Sequence, residues 1–151
     1  MSNKKVGSVI NLFISSDGAS HRTTKDKLIL DELGVKEDKF YNKNAERSVL
    51  ISSIQSYLLV KEKNIDIPHG YLGENILMDF NPYSLDIGTQ LKIGDTILEI
   101  TQNCTICNHL AVIDNSIPEL LKNDRGIFAK VTQNGNIKVN DGVYIYEQNN
   151  S

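Results

Sequence analysis

Both cysteines of the chain lie in one short stretch, Cys104-Thr105-Ile106-Cys107, and His109 follows two positions later. A thiolate is both a nucleophile and a ligand for soft metals, so this stretch concentrates that chemistry. The residues before it, from Leu98 to Asn103, begin with the alternation of apolar and polar residues that is typical of a strand. The pattern therefore places reactive sulfur at the end of a strand.

This cysteine pair allows several kinds of site. A structural zinc site needs four ligands, and Cys104, Cys107 and His109 supply three. A fourth would have to come from His21, His69 or a carboxylate, and a second Cys/His pair is absent from the sequence. Zinc is therefore the weaker interpretation of the stretch.

Two other chemical interpretations remain beside a purely structural one. A thioredoxin-like redox pair would suit a strand before Cys104, but that fold begins with a βαβ unit and the first hundred residues do not. Alternatively, one cysteine could be the ligand or the sulfur carrier of a soft cofactor. In the structural interpretation, two small buried residues simply lie three apart.

A second candidate constellation is residues 70–76, Gly-Tyr-Leu-Gly-Glu-Asn-Ile. Its glycines let the backbone approach another group closely, and Glu74 and Asn75 offer a carboxylate and an amide. A turn with a solvated Glu74 is the alternative. Arg47 could bind an oxyanion or phosphate through its planar guanidinium, or could pair with Asp38 or Glu74.

The elements that position these residues are mostly strands. Apolar and β-branched residues predict strands at Lys5–Ser15 and Arg47–Ile51, whereas Lys25–Leu33 fits a short helix or an irregular strand. A helical pattern begins at Ser52 or Ser53, either of which can cap it, and it ends near Asn64.

The second half of the chain continues this pattern. Leu72–Phe80 is predicted as a strand, and Leu91–Thr101 as two strands joined by a turn at Gly94-Asp95. A proline near the first helical position predicts a helix start at Ser116–Leu121. An Asn-Gly pair at 134–135, between two apolar runs, predicts a type I′ hairpin. Frequent strands with Gly/Asn/Asp turns predict a mainly β (α+β) fold, a closed or nearly closed β-barrel with a few covering helices.

Length and charge limit the class of protein. The 151 residues suit one domain over 1–151, with a core at about 6–145 and a polar tail at 147–151. The net charge of -3 gives no basic field for nucleic acid or anionic lipid. The chain lacks an apolar run long enough to span a bilayer and a signal-peptide pattern, so we expect no membrane partner and a cytoplasmic location.

Taken in order, these motifs resemble the MOSC family, the domain named for the C-terminus of molybdenum cofactor sulfurase. The likeness covers nearly the whole chain, from Val6 to Ile145. The elements that carry it are Gly-Val-x-x-Asp ending at Asp38, Arg-x-Val-Leu-Ile from Arg47, Gly-x-Leu-Gly-Glu-Asn-Ile from Gly70, Leu-x-Ile-Gly-Asp-x-x-Leu-Glu-Ile-Thr from Leu91, the cysteine just after it, and Arg-Gly-Ile-Phe-Ala-Lys-Val from Arg125.

The resemblance implies a barrel-like fold and a pocket for the molybdenum cofactor (molybdopterin). It implies that a cysteine binds the metal or carries sulfur; Cys104 is the better match, and Cys107 stays open because its spacing is similar to that in amidoxime-reducing members. The remaining mapped positions are pocket residues, Arg47, Gly73, Glu74 and Asn75, and two flanking residues, Asp38 and Arg125. A soft molybdenum–dithiolene centre suits a thiolate ligand.

The implied function is to bind the cofactor, to carry sulfur on a cysteine for metal–sulfur centre assembly, or both, with reduction of N-hydroxylated compounds as the reaction that larger relatives suggest. A non-catalytic cofactor carrier and a thiol–disulfide redox protein using Cys104 and Cys107 are the alternatives. The extra N-terminal barrel of the larger reductases and the pyridoxal-phosphate desulfurase domain are absent from this sequence. We therefore expect a separate sulfur donor or redox partner protein. Departures from the family pattern include Asn103 in place of a proline and Asn140 in place of a glycine.

Overall fold

Strands dominate the part of the chain that the computed structural model describes, which comprises residues 2–15, 23–104, 121 and 125–147. One α-helix, α1 (Ile54–Lys61), and a 3-10 turn at Ala45–Arg47 accompany them. The strands are β1 Ser2–Ile14, β2 Thr23–Lys25, β3 Lys27–Asp31, β4 Gly34–Val35, β5 Val49–Ser53, β6 Ile76–Met78, β7 Gln90–Ile93, β8 Thr96–Cys104, β9 Gly126–Gln133, β10 Gly135–Lys138 and β11 Gly142–Glu147.

Seven of these strands form a closed barrel. Their order is β11-β7-β8-β9-β5-β6-β1, and β11 pairs again with β1 to close the ring. β2 extends the sheet beyond β1, while β10, β3 and β4 form a separate three-stranded sheet. Neighbouring strands are antiparallel except β5 and β6, which run parallel. The predicted mainly β, barrel-like fold is confirmed.

Alternation along each strand fills the barrel. On β9, Ile127, Ala129 and Val131 are buried in the main core cluster. On β8 the same holds for Leu98 and Ile100, which pair with Val131 and Ala129 across the ladder. Burial of this apolar surface, at about 25 cal/mol per Å², is the main driving force for closing the sheet.

Helix α1 belongs to a second apolar cluster outside the barrel. Its Tyr57 and Val60 pack with Phe13, Leu72 and Leu77. Ser53 caps the helix, because its hydroxyl accepts a hydrogen bond from the N–H of residue 55 at 3.1 Å. In the described part of the chain, no helix is both long and apolar enough to cross a membrane.

Several local predictions are settled by the structure. The segment that fitted helix or strand is strand β3, and the helix begins after the predicted Ser53 cap. The turn at Gly94-Asp95 does join two paired strands, β7 and β8. The predicted strand at Leu72–Phe80 is much shorter, since only Ile76–Met78 is extended and paired. The predicted helix start at 116–121 lies outside the described residues, apart from Leu121.

The predicted hairpin across Asn134-Gly135 is wrong. Both flanking strands exist, but β10 pairs with β3 while β9 pairs with β5 and β8. Neither Asn134 nor Gly135 has the positive φ of a type I′ turn. Gly135 instead allows a close approach, since a Cβ there would lie 2.7 Å from the backbone of Asp95. Contacts between distant segments thus decided this pairing.

Candidate functional site

Three chain segments meet at one edge of the barrel. β5 and β8 end there and β9 begins there, because β9 is antiparallel to both. Cys104 pairs with Gly126, and Ile51 pairs with Ile127, so Ser52 is level with Gly126. Ile51 and Ile127 belong to the core, so Ser52, Gly126 and Cys104 form one row on the opposite, outward face.

Cys104 and Arg125 form one half of this site. Nη1 of Arg125 donates a hydrogen bond to Sγ of Cys104 at 2.6 Å. Both side chains are buried, with exposed fractions of 5% for Arg125 and 7% for Cys104. The guanidinium is a permanently charged donor, which a thiolate accepts well. Nε of Arg125 is also buried and has no hydrogen-bond partner among the described residues.

Glu74 forms the other half. Its side chain is fully buried, so the interpretation of a solvated Glu74 is wrong. Oε2 accepts hydrogen bonds from the hydroxyls of Ser52 at 2.7 Å and Tyr57 at 2.6 Å. Oε1 has no hydrogen-bond partner in the described part of the chain. The carboxylate is therefore held by one oxygen and open at the other.

Tyr57 fixes the direction of that interaction. Its hydroxyl oxygen accepts hydrogen bonds from the N–H groups of Gly70 at 3.0 Å and Leu72 at 3.4 Å. Burial, and then the neighbouring Glu74, raises the pKa of Tyr57 well above its usual value. The phenol thus keeps its proton and donates a hydrogen bond to the carboxylate. The ring also contacts His69, with centroids 4.8 Å apart.

Tyr83 connects the helix start to β9. Its hydroxyl accepts from the N–H of Ser53 at 2.7 Å, shares a hydrogen bond with the Ser56 hydroxyl at 2.7 Å, and donates to the carbonyl of Arg125 at 3.4 Å. It lies where the β5–β9 ladder ends. Tyr83 therefore holds the backbone of the arginine that contacts Cys104.

Asn75 and Asp38 have structural partners. Asn75 accepts from the N–H of Leu50 at 3.0 Å and donates to Asp38 Oδ1 at 3.3 Å. Asp38 accepts from the N–H groups of Ser15 at 2.8 Å and Phe40 at 3.1 Å. These two side chains join the end of β1, strand β5 and the loop at 36–44. They thereby fix the segment that carries the neighbouring glutamate.

Arg47 and Gly73 lie nearer the surface. Arg47 is exposed in the 3-10 turn, and its guanidinium stacks over the ring of Phe128 at 4.6 Å. Phe128 is two residues from Gly126 on the same face of β9, so Arg47 lies at the border of the site. Gly73 has a φ of 89°, a left-handed conformation that favours glycine just before Glu74.

The described residues contain no group of three His, Cys, Asp or Glu side chains that could hold a metal ion. Cys107, His109 and His21 lie outside the described residues, so the choice between the two cysteines stays a prediction. Within the described ranges, the site offers one soft sulfur, one guanidinium and one carboxylate. A metal ion bound here would therefore need most of its ligands from a cofactor that itself contains donor atoms.

Sequence reasoning missed three members of this site, Ser52, Tyr57 and Tyr83. Ser52 was considered only as a helix cap, and neither tyrosine was assigned a role in a site. The available signal was a pair of serines, Ser52 and Ser53, at the end of an otherwise apolar strand. Polar residues at such a position are buried when a partner satisfies them, and here the partner is Glu74.

Comparisons with known proteins agree with this fold. The sequence model of the MOSC domain matches residues 37–144. A search of curated protein sequences found no match.

Similar solved structures cover almost the whole chain. The YUAD protein (APC1665) from Bacillus subtilis superposes with a TM-score of 0.79 at 17% identity, covering 97% of this chain and 100% of that one. YiiM from Escherichia coli superposes with a TM-score of 0.69 at 17% identity, covering 95% of this chain and 72% of that one. YiiM from Geobacillus stearothermophilus superposes with a TM-score of 0.70 at 13% identity, covering 97% of this chain and 76% of that one. At these identities the likeness establishes the fold.

Proposed function

Since this chain belongs to the MOSC domain family, we propose that it binds the molybdenum cofactor, with Cys104 as the thiolate ligand of the metal. The observation that carries the proposal is the buried Cys104–Arg125 pair, in which Nε of the arginine still lacks a partner among the described residues. A lone structural cysteine does not need a buried charged donor at its sulfur, because free cysteine packs as a small apolar residue.

The residues present fit this cofactor. Cys104 offers one soft donor, and the dithiolene sulfurs of the cofactor would complete the coordination that the described protein groups do not. Nε of Arg125 offers a buried donor to an anionic group, and Arg47 offers an exposed guanidinium at the edge of the site for the phosphate. When bound, the cofactor supplies oxygen-atom transfer coupled to a change in the oxidation state of the metal.

The chain's own residues then act by positioning. Tyr83 holds the backbone of Arg125, and Arg125 holds the sulfur of Cys104. Ser52 and Tyr57 orient Glu74. Burial of these groups limits water and strengthens their electrostatic interactions. If the protein is an enzyme, reduction of N-hydroxylated compounds is the proposed reaction, with electrons from a separate redox partner.

Sulfur carriage is a second candidate function, supported by the same charged donor beside Cys104. The Cys104 thiolate would attack the outer sulfur of a persulfide on a separate donor protein. The S–S bond of the donor breaks as the new S–S bond forms on Cys104, and the donor leaves as a thiolate. Both functions need a reduced thiol, so we propose that the protein works in the cytoplasm.

The proposal is tested by expression in cells that make the cofactor, followed by measurement of bound molybdenum and pterin. We expect both in the wild type and in Cys107→Ser, and neither in Cys104→Ser. The reverse pattern would assign the ligand to Cys107, and a wild type without metal would overturn the cofactor proposal. A persulfide on Cys104 by mass spectrometry, without metal, would favour sulfur carriage. A reversible Cys104–Cys107 disulfide would favour the redox protein.

A further inference from the structure

A small groove lies between the end of β1, strands β2 and β3, and the loop at 36–44. Its volume is about 120 Å³. Its lining includes the apolar side chains of Leu28 and Ile29 and four charged ones, Lys25, Lys27, Lys36 and Glu37. These residues take no part in the site that contains Cys104 and Glu74. The groove is therefore a separate feature, with three lysines and one carboxylate around it.

Positive charge is in excess around this groove. Lys27 is directly opposite Lys138 in the ladder between β3 and β10, and like charges at such positions destabilise a sheet. Among the described residues, neither Lys27 nor Lys36 forms an ion pair with a carboxylate. Lys36 acts on Asp31 through space, but the Tyr41 hydroxyl already donates a hydrogen bond to that carboxylate. Two lysines of the groove are therefore open to an anionic group.

Glu37 shows which chemical group this groove accepts. Its Oε2 lies 3.8 Å from Nζ of Lys25. The backbone of Glu37 has a φ of 73°, a left-handed conformation that is uncommon for a residue with a long side chain. The side chain is 72% exposed, so the ion pair is weak and a carboxylate of another molecule can replace it. The chain's own carboxylate thus contacts one lysine of the groove and leaves the other two open.

We propose that this groove docks an acidic segment of a partner protein, whose carboxylates bind Lys27 and Lys36. A further carboxylate of the partner replaces Glu37, which already shows the chemistry of a polypeptide carboxylate beside a lysine ammonium. This docking surface shares no residue with the proposed cofactor site and does not depend on it. The loop that carries Glu37 also supports that site through Asp38, so a docked partner lies against the supporting loop.

The size of the groove favours the side chains of a protein over a small molecule. Pockets that enclose a small-molecule ligand usually measure about 300–1,000 Å³, whereas this groove measures about 120 Å³. It admits the carboxylate ends of acidic side chains, and the rest of the ligand must lie outside it. The partner therefore also contacts the surface around the groove.

The surface around the groove exposes large apolar side chains. Ile29, which lines the groove, is 44% exposed, and Leu33 and Phe40 on the adjoining segments are 38% and 46% exposed. The N–H of Asn42 donates to the carbonyl of Leu33 and joins those two segments. Apolar contacts beside charged groups are typical of protein interfaces. An anionic bilayer fits less well, because a flat surface does not enter so small a groove and the chain carries a net charge of -3.

The experiment is an NMR titration of the isotope-labelled full chain with a hexaglutamate peptide at low ionic strength, where charge interactions are least screened. We expect saturable shifts of the amides at 25–29 and 36–37, and none with hexaglutamine. The double variant Lys27→Gln/Lys36→Gln should bind hexaglutamate about fivefold more weakly or worse, because two ion pairs are lost. The matched control is Lys4→Gln/Lys5→Gln, which removes the same charge from exposed lysines of β1 and should bind as the wild type does.

Glu37→Gln tests the same inference in the opposite direction. It keeps the length of the side chain but removes the carboxylate that competes for Lys25, so we expect hexaglutamate to bind about two- to fivefold more tightly. Because Glu37 is exposed, this variant should fold as the wild type does. Unchanged or weaker binding by Glu37→Gln would contradict the assigned role of its carboxylate.

Other outcomes would overturn the docking surface itself. One is a wild type without saturable shifts, and another is equal weakening by both double variants, since net charge alone would then explain binding. Inorganic phosphate and phosphatidylserine vesicles test the other occupants. Phosphate that shifts the same amides at lower concentration than hexaglutamate would make the groove a site for a free anion. Vesicle binding that is lost in Lys27→Gln/Lys36→Gln would assign the surface to a membrane instead of a protein.

Discussion

At the scale of single residues, two buried hydrogen-bonded groups define the site. Arg125 contacts the sulfur of Cys104, and Ser52 and Tyr57 hold Glu74. Each group leaves one polar atom without a partner in the described part of the chain. Native proteins leave few buried polar atoms unpaired, so both atoms are hydrogen-bonding positions open to a bound molecule.

The charged donor at Cys104 has a measurable consequence. In a Cys107→Ser background, where Cys104 is the remaining thiol, we expect Arg125→Gln to slow alkylation by iodoacetamide several-fold near neutral pH. The reason is that the thiolate is the reacting form and the guanidinium stabilises it by a charge-assisted hydrogen bond. Lys130→Gln on the same strand is the control and should leave the rate unchanged. Equal rates in all three proteins would show that the arginine does not act on the sulfur.

The Tyr57 hydroxyl should contribute to stability as well. Tyr57→Phe leaves two backbone N–H groups and one carboxylate oxygen short of a partner, and we expect a loss of about 1–3 kcal/mol in the free energy of unfolding. Urea denaturation followed by circular dichroism measures it. Tyr146→Phe on β11, outside this network, should cost much less. A Tyr57→Phe protein as stable as the wild type would argue against a satisfied, ordered network.

At the scale of elements, the site depends on how loops are tied to strands. The loop at 36–44 contributes Asp38, and its Tyr41 hydroxyl donates to Asp31 at the end of β3 at 2.6 Å. Backbone contacts reinforce this, since the N–H of Asn42 donates to the carbonyl of Leu33 at 2.9 Å. The three-stranded sheet therefore helps to hold the segment that fixes Asn75 and, through it, Glu74.

This tie predicts a dependence of stability on pH. The Tyr41 hydrogen bond lowers the pKa of Asp31, and the same bond raises the pKa of Tyr41 to about 12. The Asp31 contribution is present above its usual pKa of about 4 and is lost as pH falls through the lowered value. The Tyr41 contribution is present below about pH 10 and is lost as pH rises toward 12.

We therefore expect the stability difference between wild type and Tyr41→Phe to be greatest between about pH 5 and 9 and to shrink at both extremes. Urea unfolding across a pH series measures this difference. Tyr144→Phe on β11 serves as the control and should show no such window. A constant difference between wild type and Tyr41→Phe from pH 3 to pH 9 would contradict the assignment.

At the scale of the whole molecule, the order of strands in the barrel brings the site together. Cys104 ends β8, Gly126 begins β9 immediately after Arg125, and Glu74 precedes β6. The ring is completed by β1 and β11, where Lys4 pairs with Ile145. Because these segments are distant in sequence, the site is complete only when β8, β9, β5 and β6 lie side by side in the sheet.

Local patterns in the sequence were enough to predict several strands, the start of the helix and the position of the candidate thiol. Apolar and β-branched runs predicted β1 and β5, and alternation predicted β7 and β8. A serine cap predicted the helix start, and the position of Cys104 at the end of a strand followed from its flanking residues. The family resemblance pointed to the same cysteine and to Glu74. Asn140 replaces a usual glycine and has a φ of 77°, a left-handed conformation that asparagine tolerates better than most residues. These features depend on neighbouring residues, which the sequence displays directly.

Only the tertiary structure decided which side chains meet. The sequence offered Arg47 for the pocket and Arg125 for its flank, but Arg125 contacts the sulfur while Arg47 lies exposed over Phe128. The sequence also favoured a hairpin between β9 and β10, but in the structure each of these strands pairs with other strands. Strand partners, burial and the direction of a charged side chain depend on contacts between segments far apart in sequence. Local propensity does not encode those contacts, because many pairings bury similar apolar surface and the closed barrel selects one of them.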